Sequence, residues 1–141
     1  MFKKILIASD GSSDSIKAAE KAIEFAKMNK EGETQIEVVY VVDGNTSKHD
    51  VLHNWDSLGI REERKEKLRA VEQKAFKARV NYDLKILRGD PGNTLVKYAD
   101  ENEIELIVIG NRGLSTLQEM VMGSVSHKVI QKANCPVLIV K

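Results

Sequence analysis

Three of the nine glycines fall in two groups, Gly110-Asn111-Arg112-Gly113 and, after nine intervening residues, Gly123-Ser124-Val125-Ser126. A glycine directly after an apolar run lets the backbone turn sharply and come close to a ligand. A helix opening at Gly123-Ser124 aims unpaired N–H groups and the positive end of its dipole at an anion. Ser124 and Ser126 add hydroxyl donors in the same place. Together these residues have the chemistry of a phosphate cradle without a lysine clamp, in which Arg112 could serve as the cation. The same residues also suit a plainer role, the glycines as turn formers and Ser124 as a helix cap. Asp10 likewise reads as a carboxylate accepting from ligand hydroxyls or as a helix cap, a task for which Ser12 and Ser13 are better placed. His127 either reaches a phosphate or is solvated.

Several chemistries are excluded. No glycine is followed by Lys, so there is no Walker A loop. No two glycines are spaced G-x-G, and no G-x-S-x-G nucleophile elbow occurs. A response-regulator receiver needs paired acids after its first strand and an aspartate ending its third, where this chain has Asp10 alone and Leu87-Arg88-Gly89. His49-Asp50-Val51-Leu52-His53 resembles a zinc-protease helix, but Asp50 is one methylene shorter than the catalytic Glu. No third ligand is evident nearby except Asp50 or Asp56, so neither a metal site nor a catalytic residue is assigned. The single cysteine, Cys135, has no C-x-x-C partner and reads as packing.

The elements that must position these residues follow from periodicity. Lys3–Ala8 is a strand buried on both faces, and Ile16, Ala19, Ile23 and Ala26 then recur at helical spacing. Val38–Val42 is a second strand, followed by a polar stretch, Thr46–Gly59, with no element assigned. The spacing predicts a helix over about 60–79, with Leu68, Val71, Ala75 and Ala78 inward and a Glu63–Lys67 ion pair outward. A third strand runs Tyr82–Leu87, and Asp90-Pro91 opens a helix carrying Leu95, Val96 and Ala99. Leu106–Ile109 is the fourth strand. A helix of about 124–133 puts Val125, Val129, Ile130 and Ala133 on one face, and Val137–Val140 is the fifth strand. Strands alternating with helices imply right-handed crossovers: a single-domain α/β fold over 1–141, a doubly wound five-stranded parallel sheet with helices on both faces. Ligands of such sheets bind beyond the carboxyl ends of the strands where the order reverses, at Asp10–Ser13 and Gly110–Gly113.

The 141 residues carry 22 Lys plus Arg against 21 Asp plus Glu, a net charge of +1, which removes the general attraction to nucleic-acid backbones. No apolar run is long enough to span a bilayer, and Met1–Ile7 lacks the form of a signal peptide, so a soluble, cytoplasmic protein is expected.

Gly110-x2-Gly113-x9-Gly123-Ser124 resembles the nucleotide-binding signature of the universal stress protein family. The opening Lys4-Ile5-Leu6-Ile7-Ala8-Ser9-Asp10-Gly11-Ser12 and the close Asn134-Cys135-Pro136-Val137-Leu138-Ile139-Val140 resemble that family's two ends, in the right order. The resemblance implies the ATP-binding branch: a Rossmann-like fold with a site for ATP (or ADP or AMP), with Mg²⁺ on the phosphates. By position, Asp10 would contact ribose and the Val41 backbone would bond adenine, with Ala8 and Val41 lining an apolar slot. Gly110 and Gly113 would flank ribose and phosphates, and Gly123, Ser124, Val125 and Ser126 would hold the phosphate chain. Ser9, Ile109 and Arg112 complete the expected set. Asn111 departs from the serine common there in the family. The function expected is a nucleotide-dependent regulatory or signalling module of the stress response, with protein partners not identifiable from sequence and no nucleic acid or membrane. At most, slow ATP hydrolysis or autophosphorylation would occur on the same cradle; a nucleotide-free dimeric interaction module is a third reading. The uncharged run Val137–Val140, at a sheet edge, predicts a homodimer through that strand, which the resemblance also implies.

Overall fold

The computed structural model describes residues 2–8, 13–29, 34–42, 62–110 and 124–140. Its strands are β1 (Lys4–Ala8), β2 (Gln35–Val42), β3 (Asn81–Arg88), β4 (Leu106–Gly110) and β5 (Val137–Val140). Between them lie α1 (Ser13–Met28), α2 (Glu62–Lys77), α3 (Pro91–Glu101) and α4 (Ser124–Lys132). Every strand pair is parallel, in the order β3-β2-β1-β4-β5, the doubly wound sheet that alternation of elements predicts. The order reverses between β1 and β4, and β3 and β5 form the edges.

Successive residues of a strand face opposite sides, so each central strand feeds two cores. Ile5, Ile7, Ile36, Val38 and Val108 pack against Ala18, Ala19 and Ala22 of α1 and Val71 and Ala75 of α2. Leu6, Ala8, Val39, Ile107 and Ile109 pack on the other side, against Leu95 and Ala99 of α3 and Val129 of α4. Four buried alanines, Ala18, Ala19, Ala22 and Ala26, let α1 sit close to the sheet. No helix among the described residues is long and apolar enough to cross a membrane.

The expected elements are present with shifted ends. β2 starts at Gln35, three residues before the apolar run, because Gln35 and Glu37 pair in register with Lys4 and Leu6 of β1 despite their polarity. Glu37 is 6% exposed, and Tyr98 Oη donates to its Oε1 at 2.7 Å, while Oε2 has no partner among the described residues. Burial and the Glu37 carboxyl together push the Tyr98 phenol well above its ordinary value. Asp90 caps α3 as expected: its carboxylate accepts from Asn93 N at 3.1 Å, with Pro91 at the start of the helix. Ile130 is a correction. It is 42% exposed, whereas Val129 is fully buried and Val125 and Ala133 pack against the core. Val125, Val129 and Ala133 follow at four-residue steps, and Ile130 stands about 100° round the helix from Val129, off that stripe. Cys135 packs in the second core, and burial raises its thiol. The side chains of Glu63, Lys67 and Leu68, the segment 46–59 and the His49–His53 motif lie outside the described residues.

Candidate functional site

The reversal point brings the carboxyl ends of β1, β2 and β4 together. Ala8 pairs with Val39 of β2 and Ile109 of β4, so it stands between two apolar strands. β2 continues past Val39 to Val42, which carries Val41 beyond the described end of β1. Ala8, Val39, Val41, Ile109 and Val125 all belong to the core on the α3 and α4 side. A small apolar wall therefore lies at the end of the sheet, with Ala8 8% exposed and Ile109 5%.

α4 starts at Ser124, and its first turn is docked on the end of β4. Ser126 is 2% exposed and its Oγ donates to the Gly110 carbonyl at 3.3 Å. Because the first N–H groups of a helix have no intrahelical acceptor, the start of α4 is a set of donors beside Gly110. His127, in the same turn, is exposed. Of the expected site residues, Ala8, Val41, Ile109, Gly110, Val125 and Ser126 are thus at one end of the fold, with the Ser124 backbone beside them. Ser9, Asp10, Arg112, Gly113 and Gly123 lie outside the described residues.

Two features near α4 are not legible from motifs. Lys128 Nζ lies 3.1 Å from Asp90 Oδ2, and Lys132 Nζ donates to Asn93 Oδ1 at 3.3 Å, joining α4 to the first turn of α3. The N–H of Asn93, with the Lys128 ammonium beside it, holds the Asp90 carboxyl below its ordinary value. Gly92 permits this approach, since an added Cβ would stand 2.7 Å from Lys128 Cδ. No sequence signal links positions in different helices in this way. A shallow groove between α1 and α2, floored by Ile23 and Ala78, belongs to the other face of the sheet.

The fold defines a doubly wound α/β protein whose strand order reverses between β1 and β4. The universal stress protein family model matches residues 1–141. Universal stress protein YxiE of Bacillus subtilis is 38% identical over 149 residues, covering 100% of both chains. A solved universal stress protein in complex with cAMP superposes with a TM-score of 0.78 and 26% identity, over 99% of this chain and 97% of that one. The universal stress protein from Archaeoglobus fulgidus in complex with dAMP gives 0.70 and 26%, over 98% and 97%. The chain belongs to the universal stress protein family, a family of stress-response proteins.

Proposed function

We propose that this protein binds ATP or a related adenine nucleotide at the end of its sheet and acts as a nucleotide-dependent regulatory module. One arrangement carries the reading: an apolar wall of Ala8, Val41 and Ile109 beside the donor-rich start of α4. The wall suits a purine base and the helix start suits phosphates. The cAMP and dAMP complexes of structural relatives support the adenine class. In this reading Asp10 accepts from ribose hydroxyls and the Val41 backbone meets adenine. Gly110, Gly113 and Gly123 leave room for phosphates, which the 124–126 turn and Arg112 hold. Mg²⁺ would neutralise phosphate charge.

The compartment proposed is the cytoplasm, where adenine nucleotides are abundant, and a partner protein would read the bound state. The assembly proposed is a homodimer through β5. β3 exposes Asp83, Lys85 and Arg88, charges that discourage pairing at that edge. β5 is half-buried and has none from Val137 to Val140. Antiparallel pairing about a two-fold axis would satisfy both copies at once.

Incubation with labelled ATP, following binding and product together, tests the function. Stoichiometric retention with turnover below about 1 s⁻¹, a low rate for a dedicated enzyme, is the expected result. Absence of retention overturns the nucleotide reading, and sustained faster turnover makes the protein an enzyme.

A further inference from the structure

α1 and α2 lie side by side on the face of the sheet opposite α3 and α4, and a groove of about 320 Å³ runs between them. Each of these helices follows one strand and returns to the start of the next parallel one, so both run the same way and end toward the amino ends of the strands. The groove lies along the second half of α1 and the end of α2, away from the strand ends at which a nucleotide is proposed to bind. Its floor is Ile23 and Ala78, and its rim is charged. Both rim carboxylates are already matched. Lys74 Nζ stands 2.9 Å from Glu20 Oε1 across the groove, and Lys21 Nζ stands 3.1 Å from Glu24 Oε2. Lys27 on α1 and Lys77 on α2 also line the groove, are exposed, and have no partner among the described residues. The charge left over is therefore positive: two ammonium groups, one on each wall of an apolar floor.

We propose that this groove docks an acidic amphipathic helix of a partner protein, with its apolar stripe on Ile23 and Ala78 and its carboxylates on Lys27 and Lys77. The furrow between two packed helices takes the ridge of a third, and an amphipathic helix laid in such a furrow is a recurring mode of recognition. A small molecule is a poorer match, because small-ligand sites enclose most of their ligand and this groove is shallow and open. The alkyl stems of Lys27, Lys74 and Lys77 extend the apolar floor while their ammonium groups stay in water. Lysines in a last turn also complement the helix dipole. That role needs no apolar floor between them. A basic segment would meet two unmatched ammonium groups, and like charges across an interface reject the wrong partner.

The test titrates the isotope-labelled full chain with three synthetic peptides and follows its amide resonances. The first peptide repeats Leu at three- and four-residue spacing with Glu elsewhere, the second has the same composition scrambled, and the third carries Lys in place of Glu. The first should give saturable shifts confined to α1 and the end of α2, and the other two should give none. Lys27→Glu combined with Lys77→Glu, both at exposed positions, should weaken the first peptide about tenfold, because two surface charge pairs turn from attraction to repulsion. Absence of saturable shifts, shifts spread over the molecule, equal binding of the scrambled peptide, or wild-type affinity in the double variant each overturns the proposal. Shifts on α1 and α2 that appear with dodecanoate but not with peptide overturn it in favour of a small amphiphilic anion. Shifts there that grow with protein concentration alone overturn it in favour of a second copy of this chain.

Discussion

Glu37 and Tyr98 are 61 residues apart in sequence and joined by a single 2.7 Å hydrogen bond. Tyr98→Phe keeps the ring and leaves a buried carboxyl with no partner, so it should lower stability by about 1–3 kcal/mol in urea unfolding. Adding Glu37→Leu to Tyr98→Phe should recover part of that loss, because no orphaned group remains; an additive further loss contradicts the pairing. The raised Tyr98 phenol also sets a pH dependence. The folded state holds this proton more tightly than the unfolded chain, so the contribution is complete below the ordinary tyrosine value of about 10 and is lost as pH rises through the folded value. Stability should fall as pH climbs from the ordinary tyrosine value toward the raised one in wild type, and fall less steeply in Tyr98→Phe. At the site, Asp10→Ala should weaken ATP binding by about 1–3 kcal/mol, as for a charged hydrogen bond. Unchanged affinity returns Asp10 to helix capping.

Elements were legible where their determinants are local. Asp90-Pro91 announces the start of α3 because a cap and its N–H acceptor contact lie within one turn, and the Asp90 to Asn93 bond follows. The depressed Asp90 carboxyl makes this cap acid-sensitive: its contribution holds above the ordinary aspartate value and disappears as pH falls through the lowered one. Asp90→Asn keeps a capping side chain but removes the charge, so unfolding curves should lose that acid-limb dependence; an unaltered acid limb would show that the Asn93 N–H and Lys128 do not favour the charged carboxyl. The start of β2 was not legible, since Glu37 looks like a loop residue until Tyr98, on α3, is known to meet it. Ile130 misled because it lies one residue past Val129, off the four-residue stripe of Val125, Val129 and Ala133, and is 42% exposed. The glycine and serine spacing located the end of the sheet, because sheet topology gathers strand ends whatever the loops do. It gave no sign of the Ser126 bond, whose acceptor is a backbone carbonyl that leaves no mark in a side-chain pattern.

At the scale of the whole molecule, the two sheet edges differ in a way that matters for assembly. Among the described residues the β3 edge carries charged side chains and the β5 edge carries none, which favours pairing at β5. Sedimentation should give a dimer that Leu138→Lys converts to monomer; a wild-type monomer near 15.8 kDa at high concentration removes the β5 interface. The proposed nucleotide site does not rest on that outcome, because the wall and the start of α4 come from one chain. Calorimetric titration of wild type and Gly123→Val with ATP is the most direct test of the nucleotide site. Wild type should bind one ATP per chain, and Gly123→Val, with the circular dichroism and melting of wild type, should lose that binding because its branched Cβ fills the space the phosphates need. Equal affinity in the two folded proteins, or no heat of binding in either, would contradict the account.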